Sequence, residues 1–353
     1  MVRCYPSRVI RIFLVALLAC LALPTRGPAA ELEKFIFEKA EMGLPFRITL
    51  YSASRAEAKR VTDATFARIA ELNQIFSDYE EDSELARLSR TSGSGQKVAV
   101  SPPLWTVLER AQKLAAESGG AFDITCGPLT SVWRRARRKL ELPSAELAAE
   151  MRARCGWQHL KLDPATRTAE LVLPQMRLDL GSLAKGYTVD AALAFLREQG
   201  HPHALVAGGG DMAAGAPPPG RTHWRIEVAP LDGLAENTKA APVIVGLHNA
   251  GIATSGDRFQ RLEIAGRRYS HILDMRTGQP LTDHSLVTAV AANCFTASLS
   301  TTLAVLGPDA GKTLAEKWNV AARWQRGAGD AVKTIETADW AQWIVPPLKP
   351  DGQ

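Results

Sequence analysis

Several features that would assign a function class directly are scarce or absent in this sequence of 353 residues. It contains five cysteines, and the three beyond residue 30 are Cys126, Cys155 and Cys294. Because three is an odd number and their spacing is not that of a metal site, we expect packing residues, with at least one thiol unpaired in a monomer. The sequence also lacks a Walker motif, a dinucleotide-binding fingerprint and internal repeats.

Net charge is small once the N-terminal segment is set aside. The formal charge of +5 includes Arg3, Arg8, Arg11 and Arg26, which lie in residues 1–30 without any acidic residue. The other 38 basic and 37 acidic residues leave a net charge of +1. This balance gives no electrostatic reason to expect nucleic acid as a partner.

Residues 1–30 are typical of an export signal, with a basic start, an apolar run over residues 12–23 and a small-residue exit at residues 28–30. The apolar run is short for a bilayer span. Residues 17–20 also resemble a bacterial lipobox, which would lipidate Cys20 and anchor the protein to a membrane. The apolar residues after Cys20 favour a soluble exported form, and either alternative predicts a periplasmic protein.

The remaining sequence predicts a single α+β domain of mixed sheets with flanking helices over residues 31–345, and a tail over residues 346–353. Ser54, followed by a glutamate three residues later, predicts a capped helix start. Ser101, followed by proline, predicts a second one. The basic run over residues 134–139 is interpreted as a solvated helix face.

Residues 176–180 predict a buried strand that passes through a turn at Gly181 into a helix over residues 187–199. Such a unit points backbone N–H groups and a helix N-terminus at the space above it, which suits a phosphate. Lys185 would add a positive charge at the same place. On its own, this pattern is also that of a purely structural turn.

Eight short motifs occur in one order over about three quarters of the chain. They are residues 42–43, 76–79 with 83–85, 120–123 with 127–128, 179–187, 209–211, 254–257, 271–274 with 277–278, and 299–307. Each motif alone is weak, but their order and spacing are specific. Together they resemble the ApbE-type FAD:protein FMN transferases, whose fold is a T-fold-related α+β domain.

The resemblance implies a reaction in which FAD binds extended, with Mg²⁺ on its pyrophosphate. A threonine hydroxyl of a target protein attacks the FMN phosphorus, AMP leaves, and FMN stays on the target. Alignment and charge neutralisation are the main requirements of such a transfer. By resemblance, the residues that contact FAD are Met42, Tyr79, Ala121, Phe122, Asp123, Asp179, Lys185 and Leu273.

Three residues receive a specific role from this reading. Tyr79 has a ring that can stack on a ring of FAD. Lys185 is expected to reach a phosphate oxygen. His271, expected on a strand that faces the site, is the candidate general base for the incoming hydroxyl.

The predicted metal site departs from the family pattern. The resemblance places a backbone carbonyl ligand at Ser182 and a threonine ligand at Thr301, but the usual aspartate position is Ala297. Since Mg²⁺ is normally held by at least one carboxylate, this replacement should weaken the site. Asp274 and Asp283 are the alternative carboxylates.

Two further functions stay open because of Ala297. One is a non-catalytic periplasmic protein that binds FAD after losing its metal chemistry. The other is hydrolysis of FAD by water to FMN and AMP, which would need the same metal.

Overall fold

The computed structural model describes residues 31–231, 242–258, 260–327 and 332–346. The predicted signal segment, residues 1–30, and all of the predicted tail except Pro346 lie outside the described residues. From Leu32 onward the chain forms one compact unit. None of the described helices has both the length and the apolar character required to cross a membrane.

Antiparallel pairing dominates the strands. The strands are β1 Glu33–Glu41, β2 Leu44–Ser52, β3 Val98–Ala99, β4 Leu160–Asp163, β5 Thr168–Leu171, β6 Ala204–Gly208, β7 Asp211–Ala214, β8 Trp224–Glu227, β9 Ile244–Leu247, β10 Ala250–Gly256, β11 Arg261–Ile264, β12 Arg267–Ser270, β13 Leu273–Asp274, β14 Gln279–Pro280, β15 Ser285–Ala291, β16 Ala321–Arg326 and β17 Lys333–Glu336. Within the described residues, the largest sheet has eight strands in the order β1-β2-β6-β7-β10-β15-β16-β17. The predicted α+β fold is confirmed, although the ladders of this sheet are all antiparallel rather than mixed in direction.

Two of the helices in the described residues begin at the capped positions that the sequence predicts. They are α1 Arg55–Phe76, α2 Glu84–Arg90, α3 Pro102–Glu117, α4 Gly127–Lys139, α5 Ala145–Ala153, α6 Ala184–Glu198, α7 Cys294–Ala297 and α8 Ser300–Lys317. The Ser54 side chain accepts a hydrogen bond from the N–H of Glu57, and that of Ser101 accepts one from Leu104. Both predicted helix starts are therefore confirmed, and each cap satisfies an N–H group that would otherwise lack a partner.

Both faces of the main sheet are covered, so its inner strands are buried. Helices α1, α6 and α8 pack on one face, and the β8–β9 hairpin with Trp340 packs on the other. Side chains alternate between the two cores along a strand: Ile252 belongs to the hairpin side and Ala253 to the helix side. All seven residues of β15 are buried. Burial of this kind stabilises the sheet by roughly 25 cal/mol per Å² of apolar surface.

The segment before α6 is not the strand that was predicted. Of residues 176–180, only Arg177 pairs like a strand, in an isolated parallel bridge with Cys126. The N–H of Asp179 donates to the carbonyl of Ile124 at 2.8 Å, so the segment bonds to the loop before α4 instead of joining a sheet. The turn is closed by the Asp179 side chain, which accepts from the N–H of Gly181 at 2.9 Å, and α6 starts earlier than predicted, at Ala184.

Helices α6 and α7 approach each other at Gly186. A Cβ atom at this position would lie 2.1 Å from the Ser298 hydroxyl and 2.8 Å from the carbonyl oxygen of Cys294. Asp190, one turn later, accepts backbone hydrogen bonds from Cys294 at 2.9 Å and Phe295 at 2.7 Å. The first turn of α6 is thereby fixed next to the start of α8.

Candidate active site

One cavity of about 660 Å³ collects the residues that the sequence singled out. Its volume is within the range of small-molecule and cofactor sites. The predicted FAD contacts, the candidate base and both remaining metal positions all line it: Met42, Tyr79, Ala121, Phe122, Asp123, Asp179, Lys185, Leu273, His271, Ser182 and Thr301. Segments distant in sequence are therefore brought together by the fold.

The apolar residues that line the cavity are held in place by burial. Ala121, Phe122 and Leu273 are almost completely buried. Met42 is half-buried and lies in the tight turn between β1 and β2, where its φ of 51° and that of Gly43 at 72° are both positive. Positive φ at both central residues is the requirement of a two-residue hairpin turn. This geometry holds Met42 at the cavity.

Asp123 shapes the loop that carries Ala121 and Phe122. One carboxylate oxygen accepts from the N–H and the hydroxyl of Thr125, each at 2.7 Å. The other accepts from the N–H of Trp157 at 2.8 Å. Burial raises the pKa of Asp123 despite these bonds. Since both oxygens are engaged within the protein, the carboxylate orients this loop.

Asp179 is held by α4 across the cavity. One of its oxygens accepts from the Thr130 hydroxyl at 2.9 Å and from the Arg134 guanidinium at 2.7 Å. Thr130 and Arg134 are four residues apart and therefore lie on the same face of the helix. Arg137, one turn further, also lines the cavity. We call Thr130, Arg134 and Arg137 the arginine wall.

The interpretation of residues 134–139 as a solvated face is wrong for two of its arginines. Arg135 and Arg138 are exposed as expected, but Arg134 and Arg137 are half-buried in the cavity. Arg134 pairs with Asp78 at 2.5 Å as well as with Asp179.

The same guanidinium lies 4.6 Å from the centre of the Tyr79 ring, a cation–π contact. Tyr79 remains 71% exposed, so much of its side chain is accessible to a ligand.

Lys185 lies in the first turn of α6 with its amine toward a buried acid. Its Nζ is 3.3 Å from Oδ2 of Asp211, the first residue of β7. Asp211 follows two glycines, Gly209 and Gly210, with φ of 60° and 101°, a backbone that favours glycine. Burial raises the pKa of Asp211, and the positive charge of Lys185 opposes this shift.

His271 is half-buried at the cavity and follows β12 instead of lying within a strand, which corrects the prediction. Its Nδ1 lies 3.1 Å from the carbonyl oxygen of Gln260, which can only accept a hydrogen bond. Nδ1 therefore carries the proton and Nε2 is left as the acceptor. Burial lowers the pKa of His271 to about 4, so the ring is neutral at physiological pH.

Another part of the cavity lining is made of neutral hydroxyl groups. Ser255, at the end of β10, lies 2.9 Å from the hydroxyls of both Ser300 and Thr301 in the first turn of α8. No side chain caps this helix start. We call Ser255, Ser300 and Thr301 the hydroxyl wall.

Comparison with known proteins identifies the fold and the motif set. The model of the ApbE family matches residues 42–324. The chain belongs to the ApbE family.

A curated relative named FAD:protein FMN transferase, from Chlamydia muridarum, is 32% identical over 279 residues, which are 76% of this chain and 84% of that protein. The solved structure of the flavin transferase ApbE from Vibrio cholerae matches with a TM-score of 0.79 at 28% identity, over 88% of this chain and 99% of that one. The apo form of the Pseudomonas stutzeri flavinyl transferase ApbE matches with a TM-score of 0.77 at 30% identity, over 90% and 99%. The single-domain α+β fold is shared with both structures.

The residues present do not fit the Mg²⁺ that membership of the ApbE family implies. Ala297 is fully buried and does not line the cavity. Four aspartates line it, Asp78, Asp123, Asp179 and Asp211, but each is already bonded to protein donors, and Glu80 is exposed beside Tyr79. Across the part of the chain that the structure describes, no three His, Cys, Asp or Glu residues are grouped as a metal site. The donors left at Ser182 and Thr301 are neutral, whereas Mg²⁺ favours carboxylates.

The two alternative carboxylates do not repair this site. Asp274 pairs with Arg276 at 2.7 Å, and Asp283 pairs with Arg326. Neither lines the cavity.

The three cysteines are free, as expected, and burial raises the pKa of each thiol, that of Cys155 to about 12. Thiols of high pKa are unreactive, which agrees with packing roles.

Sequence reasoning missed the arginine wall and most of the hydroxyl wall. A period of three to four residues joins Thr130, Arg134 and Arg137, and this spacing was the available signal for the first wall. The second had a signal in the consecutive hydroxyl residues 300–302.

Proposed function

We propose that this protein transfers FMN from FAD to a threonine hydroxyl of a target protein and releases AMP. The observation that carries the proposal is His271, a neutral imidazole with a free Nε2, in the same cavity as the predicted FAD contacts. Membership of the ApbE family supports it, as do relatives named FAD:protein FMN transferase.

The reaction requires one bond to form and one to break at phosphorus. The acceptor oxygen bonds to the FMN phosphorus, the bond from that phosphorus to the AMP oxygen breaks, and the hydroxyl proton passes to Nε2 of His271. A base with a pKa of about 4 is unprotonated at neutral pH and is therefore ready to accept. Lys185 donates to a phosphate oxygen, and Tyr79 offers a ring face for stacking.

The decisive experiment incubates the protein with FAD and an acceptor protein that carries a single candidate threonine. AMP release and in-gel flavin fluorescence are both measured, in Mg²⁺ and in EDTA. The matched controls are the same acceptor with Thr→Ala and the enzyme variant His271→Asn. Transfer to the threonine form alone, lost in His271→Asn, is expected. A wild-type protein that releases no AMP and labels nothing contradicts the proposal.

Ala297 favours one second candidate, a protein that binds FAD without turning it over. A buried methyl group at the usual carboxylate position removes the protein charge that would hold a metal. FAD binding without AMP release in either buffer supports this candidate. Free FMN with an unlabelled acceptor indicates hydrolysis by water instead.

We also propose that the protein acts in the periplasm on an exported or membrane-bound target. The support is the export-like sequence of residues 1–30. Mass spectrometry of the mature N-terminus separates cleavage after residue 30 from lipidation at Cys20, which would add a membrane anchor.

A further inference from the structure

Arg137 is a cavity cation that none of the described side chains pairs with. It is half-buried and lines the cavity three residues after Arg134, on the same face of α4. Arg134 is engaged by Asp78 and Asp179. In the described part of the chain, Arg137 makes no ion pair and no hydrogen bond. The N–H donors of this guanidinium are therefore available to bind an anion that enters the cavity.

A second cation, Lys185, lines this cavity together with Arg137 and His271. Burial is the main cause of the low pKa of His271, and the positive charges of Arg137 and Lys185 lower it further. Lys185 is paired with Asp211 at a long 3.3 Å, and an ammonium group has three donor hydrogens, so it retains donors for a ligand.

The hydroxyl wall supplies no charge to the cavity. Its three side chains are neutral, and Ala297 is fully buried and has no donor atom in its side chain. The positive charge available to a diphosphate in this cavity therefore comes from Arg137 and Lys185. Neutralisation of a diphosphate is needed whether or not a metal is bound, because charge develops on the oxygens during transfer.

We propose that Arg137 and Lys185 together bind the diphosphate of FAD next to His271, and that their charges replace the metal ion on this chain. This inference rests on the proposed function for the identity of the ligand. Arg137 contacts phosphate oxygens through its planar fork, a geometry that lysine cannot reproduce. Arg134 is excluded from this role because its guanidinium is used by two carboxylates.

The test compares binding of FAD with binding of riboflavin, which has the same flavin ring but no phosphate. Full-length wild type, Arg137→Gln, Arg137→Lys and the control Arg138→Gln are titrated in EDTA by flavin fluorescence. Arg138 is exposed on the same helix, so its variant matches the change in charge without reaching the cavity.

We expect the Kd of FAD to rise about tenfold or more in Arg137→Gln, the loss of a charge-assisted hydrogen bond. Arg137→Lys should recover part of the affinity because it keeps the charge. The Kd of riboflavin should be unchanged in all four proteins, which also shows that the variants are folded.

Equal FAD affinity in Arg137→Gln and Arg138→Gln overturns the inference, as does wild-type binding of FAD that requires Mg²⁺. These outcomes are separate from those of the transfer assay. If FAD binding depends on Arg137 but no acceptor is labelled, the proposed transfer fails while the diphosphate site stands. If the acceptor is labelled only with Mg²⁺ and equally by Arg137→Gln, the transfer stands and the diphosphate site fails.

Discussion

The arginine wall and the hydroxyl wall face the same cavity but differ in charge and in how they are held. The first is a network of guanidinium and carboxylate groups, with Arg134 bonded to Asp78 and Asp179. The second is a chain of neutral hydroxyls centred on Ser255. Family resemblance implies a metal cation at the second wall, whereas the arginines of this cavity lie on the first. In the diphosphate site proposed above, Arg137 and Lys185 take over the electrostatic role that the resemblance assigns to the metal.

Removing the centre of the arginine wall should have the largest effect. Arg134→Ala leaves two mostly buried carboxylates without a cation, which is expected to lower the free energy of unfolding by about 3 kcal/mol. Urea denaturation measures this change. Arg135→Ala, on the exposed side of the same helix, serves as the control and should change stability by less than about 0.5 kcal/mol. Equal stability of the two variants would mean that this network does not hold the wall.

In the proposed reaction, His271 acts on the acceptor hydroxyl and belongs to neither wall. His271→Asn should lower the transfer rate about 100-fold, the usual contribution of a general base, with the Kd of FAD unchanged. In wild type the rate should stay constant from neutral pH downward and fall only as the pH approaches about 4, where the ring is protonated. A wild-type rate that already falls near pH 6.5 contradicts this assignment.

The low pKa of His271 also predicts that the free energy of unfolding depends on pH. The pKa of His271 is about 4 when folded and 6.5 in its ordinary state, so the unfolded chain binds more protons between these values. Stability contributed by this site is therefore present above pH 6.5 and is lost as the pH falls through that window. Denaturation midpoints of wild type and His271→Asn at several pH values should show the smaller acid loss in the variant.

A carboxylate introduced at position 297 tests whether the metal site can be restored. Ala297→Asp places an acid at a fully buried position and should cost about 2 kcal/mol of stability in EDTA. Mg²⁺ should then stabilise the variant and leave the wild type unchanged, as measured by thermal unfolding. Ala297→Asn, similar in size but uncharged, is the control. Equal stabilisation of wild type by Mg²⁺ would show that this chain already holds the ion.

The smallest effect is expected from the hydroxyl wall itself. Ser255→Ala removes hydrogen bonds to Ser300 and Thr301, a loss of about 1 kcal/mol in the free energy of unfolding. FAD affinity in EDTA should not change, because this wall carries no charge in the proposed diphosphate site. A tenfold loss of FAD affinity would assign the diphosphate to this wall instead.

Local features of the fold could be read directly from the sequence. The caps at Ser54 and Ser101 depend on residues within three positions, so short patterns determine them. The strand predicted over residues 176–180 failed because its backbone bonds are made to a distant loop at Ile124. An apolar alternation predicts burial, but it does not specify which segment supplies the hydrogen bonds.

The residues of the candidate site that belong to sequence motifs could be predicted. Those whose role depends on charged residues far away in sequence could not. All eleven residues taken from the resemblance line one cavity. The role of Arg134 depends on Asp78 and Asp179, which are 56 and 45 residues away in sequence. A run of arginines on a helix cannot reveal which of its members meets an acid in three dimensions, and the run was therefore interpreted as a solvated face.

The close approach at Gly186 has a consequence for the width of the cavity. Lys185 precedes this glycine, and Ser298, whose hydroxyl would clash with any side chain there, lies two residues before the start of α8. The spacing between the Lys185 amine and the hydroxyl wall therefore depends on the absence of a side chain at Gly186. A side chain at residue 186 would push α6 away from Ser298 and shift Lys185 relative to the hydroxyl wall. The length of phosphate chain that fits between the amine and these hydroxyl groups would change as a result.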